Sequence, residues 1–223
     1  MRILIVGGSG LLGGELVRQA TTAGQIVAAT YLTRPGAVPG AEWLPLDVRD
    51  RKAVFGLIGA IGPDVVVNAA FRQPDWETTA VDPRAVIVRT SLIIGDGGSA
   101  HEDMVHALAA GDTDGVLFTD DVRCPVHVSD LAAALLELAG SDRAGTHHAA
   151  GADAMSRYEL GRLIARRDGL DPSRLPSGRR AGTDVPGPLD VRLDCRLTQR
   201  HLTTRLRGAR EFLRQPRSNG SLS

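Results

Sequence analysis

A glycine-rich stretch near the start of the chain has the composition of a phosphate-binding loop. Its members are, in order, Gly7, Gly8, Ser9, Gly10, Leu11, Leu12 and Gly13. Glycines at positions 7, 10 and 13 let the backbone turn tightly, approach a pyrophosphate with its N–H groups and pack a helix against a strand. The N-terminus of that helix adds a partial positive charge. Because a predicted strand precedes the loop and a predicted helix follows it, the pattern predicts a dinucleotide site.

The residues after the second predicted strand bear on which dinucleotide binds. NAD sites place an Asp or Glu there, where it holds the ribose 2′-hydroxyl. Residues 30–34 of this chain contain no carboxylate and one cation, Arg34. A guanidinium in that place favours a 2′-phosphate, so the sequence predicts NADP(H) rather than NAD(H). The alternative interpretation is that Arg34 is an ordinary solvated loop charge.

The spacing of the histidines and cysteines does not indicate a metal or nucleophilic site. His101 and His106 are five positions apart, about 140° around a helix, so they do not share one metal-binding face. We expect them at a solvated helix start. Cys124 and Cys195 lie outside any C-x-x-C motif, which argues against a disulfide scaffold or a zinc ribbon. No Gly-x-Ser-x-Gly motif accompanies a triad, so we predict no metal site and no serine hydrolase.

The elements that would position the loop alternate between strands and helices. Apolar runs at residues 3–6, 26–31, 43–47 and 64–68 predict strands, and helical periodicity covers residues 11–23 and 51–59. Strands without polar alternation are typical of a parallel sheet that helices cover on both faces. The sequence therefore predicts an α/β fold with a doubly wound parallel sheet of the Rossmann type.

The overall composition excludes several classes of protein. The 223 residues include 26 Lys+Arg and 26 Asp+Glu, so no net charge attracts nucleic acid or an anionic membrane. Apolar residues make up 43%, which is ordinary for a globular protein. No apolar stretch approaches the roughly 18 residues of a membrane span. We expect a soluble cytoplasmic protein with a small-molecule partner, and the composition leaves a monomer and an oligomer both open.

Several further motifs, taken with the glycine pattern, resemble a known family. They are Leu46-Asp47-Val48, residues 63–70, Arg89-Thr90-Ser91-Leu92, and residues 125–132, 156–160 and 188–194. The set is similar to the extended short-chain dehydrogenase/reductases, and within them to the dTDP-4-dehydrorhamnose reductase family of sugar-nucleotide-binding proteins. The resemblance covers most of the chain, on both sides of one interruption.

This resemblance implies which residues hold the cofactor. The corresponding positions are Asp47, Val48, Asn68, Ala69, Ala70 and Ser91. By resemblance, the first two would flank the adenine, the next three would pass beneath the nicotinamide ribose, and the last would lie near the nicotinamide.

The family substrate, a nucleotide-linked 4-keto-6-deoxysugar, implies a second set of contacts. Leu92 stands where the family has an aromatic residue that contacts the sugar. Arginine forks match phosphate oxygens, and Arg192 is our candidate for the diphosphate because it lies in the family-like segment 188–194. We expect most of the other arginines after residue 190 to be solvated helix charges.

The likeness is interrupted after the fourth predicted strand. Only 14 residues, 71–84, separate that strand from the next apolar run at residues 85–88, and their two prolines, Pro74 and Pro83, predict a poor helix. Two strand–helix crossovers would need roughly 60 residues. About one strand and its helices of the family pattern are therefore absent from the sequence.

The absent stretch is where the family carries a Tyr-x-x-x-Lys pair. Lys52 is the only lysine of the chain, and the residue four positions before it is Val48. In the family, the tyrosine protonates the forming alkoxide and the lysine lowers the tyrosine pKa. We therefore assign no catalytic residue and expect an NAD(P)-binding member of this reductase family with impaired or absent catalysis. The alternatives are a non-catalytic nucleotide-binding regulatory subunit and a relic damaged by an internal deletion.

The motifs also predict how the chain divides. Residues 1–95 and 126–150 would form the NAD(P)-binding domain, residues 96–125 and 151–215 a smaller substrate-binding lobe, and residues 216–223 a flexible tail. Within the second half, Ser129 is a predicted helix cap. Ser156 is another, forming a capping box with Glu159.

Overall fold

The computed structural model of the protein describes residues 1–70 and 83–214. The predictions of a poor helix at residues 71–84 and of a flexible tail at residues 216–223 lie outside the described residues, apart from positions 83 and 84.

The first half alternates between strands and helices as the periodicity predicts. The strands in chain order are β1 (Arg2–Val6), β2 (Ile26–Tyr31), β3 (Glu42–Pro45), β4 (Val65–Asn68), β5 (Val86–Arg89), β6 (Ile93–Ile94), β7 (Leu117–Phe118), β8 (Val122–Arg123), β9 (Val126–His127), β10 (Gly145–His148), β11 (Met155–Ser156) and β12 (Ser177–Gly178). The helices are α1 (Leu11–Thr22), α2 (Arg51–Ile61), α3 (Ala100–Ala110), α4 (Val128–Ala139), α5 (Arg157–Arg167), α6 (Arg196–Gln199) and α7 (Ala209–Phe212), with a 3-10 helix at Pro172–Arg174.

The main sheet is parallel and has the strand order β3-β2-β1-β4. Its central strand β1 is flanked by β2, with Ile5 opposite Ala29, and by β4, with Val6 opposite Asn68. Strands that run in the same direction need a crossover between them. Helix α1 lies in the connection from β1 to β2 and α2 in the connection from β3 to β4, whereas β2 and β3 are joined without a helix. This arrangement confirms the predicted doubly wound α/β fold.

Both faces of β1 are buried, which explains why its sequence shows no polar alternation. Ile3 and Ile5 pack on one face in a core with Leu16 and Val17 of α1. Leu4 and Val6 point to the opposite face, where Leu57, Ile58 and other residues of α2 pack against their cluster. A strand between two helical layers has no solvent side, so the four positions from Ile3 to Val6 are all apolar.

Strand β4 departs from the expectation that each strand is covered on both faces. Its residues alternate between half-buried and exposed, and Val66 keeps 43% of its surface exposed. Within the described residues β4 is an edge strand, because β5 pairs with β10 instead of β4. The apolar run therefore predicts the strand correctly but not its burial.

The described chain forms two compact units made of separated stretches. The first contains residues 1–88, 131–146 and 202–204, and the second contains residues 89–130, 147–201 and those from 205 onward. In the first unit the carboxylate of Glu137 on α4 accepts hydrogen bonds from Thr203 N at 2.6 Å and Thr204 N at 2.7 Å. In the second unit, α3 and α5 contribute Val105, Leu108, Leu160 and Ile164 to a buried core.

One of the two predicted helix caps is confirmed and the other is wrong. Ser156 precedes α5 and forms a reciprocal capping box with Glu159. Ser129, in contrast, lies inside α4, which begins at Val128. The Ser129 hydroxyl is 2.6 Å from Nδ1 of His127.

Among the described residues, no helix is both long and apolar enough to cross a lipid bilayer.

Candidate functional site

The glycine loop follows β1 and is held against two neighbouring segments of the first unit. Gly7 has φ +79°, a left-handed conformation that favours glycine. Its N–H donates to the Thr30 hydroxyl at 3.0 Å. A Cβ at Gly7 would lie 2.8 Å from the backbone nitrogen of Ala70, so no side chain fits. The first glycine therefore lets the loop turn directly beside the segment that follows β4.

The third glycine has a different role, because it brings α1 against the loop. A Cβ on Gly13 would lie 2.0 Å from the carbonyl oxygen of Gly7. The second glycine is under no such constraint. A Cβ on Gly10 would meet Gly7 O at 3.5 Å, an ordinary contact. Nothing in the described chain requires a glycine at position 10, and its missing side chain leaves room for a group from outside the chain.

At this loop, the N-cap residue of α1 provides no side-chain cap to the helix. Gly10 is its N-cap residue and, among the described residues, supplies no side-chain hydrogen bond to the first turn. The first turn also contains no acidic residue. Ser9, Gly10 and Leu11 are exposed. The first N–H groups of a helix have no intrahelical partner and carry partial positive charge, so this end of α1 suits an anion.

The other predicted cofactor residues of the first unit emerge at the same edge of the sheet. Since the four strands are parallel, the segments after their carboxyl ends lie side by side. Asn68 ends β4, and its side-chain oxygen accepts a hydrogen bond from Ala70 N at 3.1 Å. Ala69 N donates to Val6 O at 2.9 Å. Residues 68–70 are thus fixed beside the glycine loop.

Asp47 and Val48 follow β3 at this edge. The Asp47 carboxylate accepts bonds from Arg49 Nε at 2.9 Å and NH2 at 2.6 Å, and these bonds lower the Asp47 pKa to about 2. Its charge is therefore paired with a guanidinium. Val48 is 48% exposed. The apolar side chain of Val48, unlike the carboxylate of Asp47, is free for a flat aromatic ring.

Arg34 lies three residues beyond β2 and is exposed. Its side chain forms no hydrogen bond or ion pair with any described residue. Because β2 neighbours β1, this guanidinium belongs to the sheet edge that carries the glycine loop. Its positive charge therefore has no partner among the residues that the structure describes.

The remaining predicted positions belong to the second unit. The Ser91 hydroxyl accepts a hydrogen bond from Cys124 N at 3.1 Å. Leu92 is half-buried and packs against the core of α3 and α5. Arg192 lines a cavity of about 590 Å³, formed by the turn at residues 150–154, residues 192–200, Cys124 and Leu206. The second unit therefore contains a ligand-sized cavity with Arg192 in its wall.

The two tyrosines of the chain are Tyr31 and Tyr158, and neither is followed by a lysine four positions later. Tyr158 lies on α5 and packs against the core of the second unit. The guanidinium of Arg162 lies 5.8 Å from the centre of its ring. This stacking is the contact expected of a helix surface pair. The neighbour of the Tyr158 phenol ring is therefore the Arg162 guanidinium, which lies over the face of the ring.

A buried ionic group in the second unit was missed by the sequence analysis. The expected solvated helix start at His101–His106 is wrong at Glu102, which is only 1% exposed. Its carboxylate accepts bonds from Arg167 at 2.5 Å and from three backbone N–H groups. His106 Nε2 lies 2.7 Å from Asp168. The Ser99-x-x-Glu102 capping box was the available signal.

A second missed group centres on Asp121, which is 2% exposed. Its carboxylate lies within 2.6 Å of Arg123, 2.8 Å of Arg157 and 3.2 Å of Arg180. Burial, together with the charges of the neighbouring arginines, lowers the pKa of Arg123. These contacts connect β8, the start of α5 and the loop after β12.

Comparison with known proteins gives a consistent family. A family profile described as the RmlD substrate binding domain matches residues 1–77 and 74–217. The two matched segments overlap at residues 74–77. This overlap lies within residues 71–84, where the resemblance to the family is interrupted. The dTDP-4-dehydrorhamnose reductase of Mycolicibacterium smegmatis is 30% identical over 171 residues, which cover 74% of this chain and 51% of that protein. The corresponding protein of Mycobacterium tuberculosis (strain H37Rv) is 31% identical over 157 residues, 69% of this chain and 48% of that protein.

The chain therefore spans about half the length of these curated relatives. Solved structures agree on the fold. A hypothetical dTDP-4-dehydrorhamnose reductase from Sulfolobus tokodaii has a TM-score of 0.72 at 22% identity, covering 93% of this chain and 97% of that one. The Bacillus anthracis dTDP-4-dehydrorhamnose reductase in complex with NADP has a TM-score of 0.72 at 14% identity, covering 95% of each chain. By its family profile, the chain belongs to the RmlD-like family of extended short-chain dehydrogenase/reductases.

Proposed function

We propose that the glycine loop binds a dinucleotide, with the pyrophosphate at the N-terminus of α1. One observation carries this proposal. Gly7 and Gly13 are required by contacts inside the chain, whereas Gly10 is not. The space at Gly10 lies beside a helix N-terminus that no described side chain caps. A backbone without a side chain at such a place suits a phosphate that approaches closely.

The dinucleotide we propose is NADP(H). Arg34 is exposed and makes no side-chain hydrogen bond or ion pair with another described residue. Asp47, the carboxylate that follows β3, is paired with Arg49. A 2′-phosphate would pair with the free guanidinium. The NADP complex of the Bacillus anthracis reductase supports this choice by analogy. When bound, the nicotinamide supplies a hydride donor or acceptor.

A substrate of the family class, a nucleotide-linked 4-keto-6-deoxysugar, completes the proposal. The family profile matches this chain on both sides of the interruption, and the reductases of two mycobacterial species are 30% and 31% identical to it. The domain roles that we propose are nucleotide binding by residues 1–95 and 126–150 and substrate binding by residues 96–125 and 151–215.

Catalysis by this chain is expected to be impaired or absent. The chain has no Tyr-x-x-x-Lys, and a positioned general acid contributes about 10²–10⁴-fold to a rate. A non-catalytic nucleotide-binding subunit is the second candidate, favoured by the same missing pair.

Titration of NADPH, followed by its fluorescence, tests the cofactor proposal. Gly10→Ala introduces a methyl group that the chain itself tolerates, so the variant should fold and bind NADPH more weakly. Gly14→Ala is the matched control, because its Cβ would lie 3.6 Å from Gly8 O, on the next turn of α1. Equal NADPH affinity of both variants and the unmodified chain would refute a pyrophosphate at Gly10.

Turnover of NADPH with a dTDP-4-keto-6-deoxysugar separates the two candidates. Reduction slowed by about 10²-fold or more relative to an intact family member would indicate an impaired reductase. Saturable NADPH binding without reduction would favour the regulatory subunit. Reduction at ordinary rates would show that another residue donates the proton.

A further inference from the structure

The cavity of the second unit combines an apolar floor with a basic wall. Its volume of about 590 Å³ lies within the range of small-molecule sites. The wall carries three arginines, Arg192, Arg196 and Arg200, together with Asp194 and Gln199. The apolar floor is formed by Ala150, Gly151, Ala152, Ala154, Leu193 and Leu206. This composition suits a ligand with one flat or apolar part and one anionic part.

Two of the three arginines are neutralised by an aspartate two positions earlier. Arg192 Nε and NH2 lie 2.9 Å from the Asp190 carboxylate. Arg196 Nε and NH2 lie 2.9 Å and 2.6 Å from the Asp194 carboxylate. Both aspartates raise the pKa of their arginine. An incoming phosphate would have to compete with these carboxylates.

The third arginine lacks such a partner. The sequence repeats an Asp-x-Arg spacing at 190–192 and 194–196 but has Thr198 in the place of the aspartate before Arg200. The Thr198 hydroxyl accepts a hydrogen bond from His148 N at 3.1 Å. Arg200 is exposed, and its side chain makes no hydrogen bond or ion pair with the rest of the described chain. Of the three arginines, it is the one whose charge no described carboxylate compensates.

We propose that the cavity binds a nucleoside diphosphate and that Arg200, not Arg192, holds the diphosphate. The identity of the ligand rests on the proposed function, whereas the choice of arginine rests on the charge pairing alone. A guanidinium without an internal partner gains the full charge-assisted bond to phosphate. Arg192 and Arg196 then shape the wall through their own aspartates.

Calorimetric titration with dTDP tests the assignment. We expect dTDP to bind and thymidine, which lacks the phosphates, to bind at least tenfold more weakly. Arg200→Ala should weaken dTDP binding by about ten- to a hundredfold, since a hydrogen bond to a charged group has that effect. Arg200→Lys keeps the charge and should recover part of the loss. Arg166→Ala is the matched control, because Arg166 is also exposed and lies on α5, outside the cavity wall.

Thiol labelling shows whether dTDP occupies this cavity. The chain contains two cysteines, both in the cavity wall. Cys124 is buried and Cys195 is half-buried, so an alkylating reagent should modify Cys195 first. Burial raises the pKa of the Cys195 thiol, so the reaction is run at alkaline pH. Saturating dTDP should slow the modification of Cys195.

The outcomes separate this proposal from the cofactor site. Unchanged dTDP affinity in Arg200→Ala, an equal loss in Arg166→Ala, or dTDP binding without protection of Cys195 would each overturn it. Absence of dTDP binding in a sample that still binds NADPH would overturn the cavity assignment alone. Arg200-dependent dTDP binding in a sample that does not bind NADPH would support the cavity and refute the cofactor proposal.

Discussion

Replacing Glu102 by glutamine should destabilise the protein strongly, although it changes only one oxygen to an NH₂ group. Each carboxylate oxygen of Glu102 accepts two bonds. One oxygen receives Gly97 N and Arg167 NH2, and the other receives Gly95 N and Ser99 N. A glutamine keeps one oxygen, and its NH₂ group faces two donors in place of the other oxygen. These donors are either Gly95 N and Ser99 N or Gly97 N and Arg167 NH2.

The expected loss of folding free energy follows from the number of hydrogen bonds that the substitution removes. Two charge-assisted bonds at about 1.5–3 kcal/mol each give about 3–6 kcal/mol, close to the about 3–5 kcal/mol for breaking a buried ion pair. Arg167 keeps Asp168 as a partner, 2.7 Å away, so the lower end, about 3 kcal/mol, applies. With a urea m-value of about 2–3 kcal/mol/M, the midpoint should fall by about 1 M or more.

The assay is urea unfolding followed by far-ultraviolet circular dichroism, with Asp103→Asn as the control. Asp103 is the exposed neighbour in the same helical turn, so its substitution removes the same charge and costs at most about 1 kcal/mol through the helix dipole. Equal midpoint shifts for the two variants would refute the reasoning.

The contribution of Glu102 to the stability of the protein should depend on pH. Burial alone would raise the pKa of Glu102, but the hydrogen bonds from Ser99 and Arg167 and the charge of Arg167 outweigh it and lower the pKa. A carboxyl with a lowered pKa in the folded state stabilises the protein above its unfolded pKa of about 4.3 and loses that contribution as the pH falls. The stability gap between the unmodified chain and Glu102→Gln should therefore narrow below about pH 4.3. A gap that stays constant down to pH 3 would contradict this.

Two further predictions concern the second unit. Asp121→Asn should lower the free energy of unfolding by about 3–5 kcal/mol, because it leaves three neighbouring arginines without their shared carboxylate; an unchanged thermal midpoint would count against a stabilising ion cluster. Ser156→Ala should cost about 1 kcal/mol by removing the capping bond to Glu159 N, whereas Ser156→Thr should retain most of the stability in the same denaturation assay, and equal losses in both would argue against the cap.

The parts of the fold that the sequence predicted well depend on neighbouring residues. The bounds of β1, β2, β3, β4, α1 and α2 differ from the predicted ones by no more than two residues. Burial on both faces of β1 produces its apolar run, and the required glycines at 7 and 13 are visible as a spacing. Features of this kind can be predicted because they depend on residues that are close together in the sequence.

The parts that the sequence did not predict depend on distant partners. Glu102 lies 65 positions from Arg167, and Asp121 lies 59 positions from Arg180, so each appears from the sequence to be an ordinary surface charge. The exposed edge at β4 depends on the pairing of β5 with β10, which no local pattern indicates. The neutralisation of Arg192 is, in contrast, visible in the sequence as an Asp-x-Arg spacing.

The interleaving of the two units has a consequence for how the protein is made. The first unit needs residues 202–204, which Glu137 holds, and the second needs residues on both sides of them. Neither unit can finish folding on the ribosome while residue 202 is still inside the exit tunnel. A premature stop or a proteolytic cut before that point removes pieces of both units at once, so no contiguous fragment of the chain corresponds to either one.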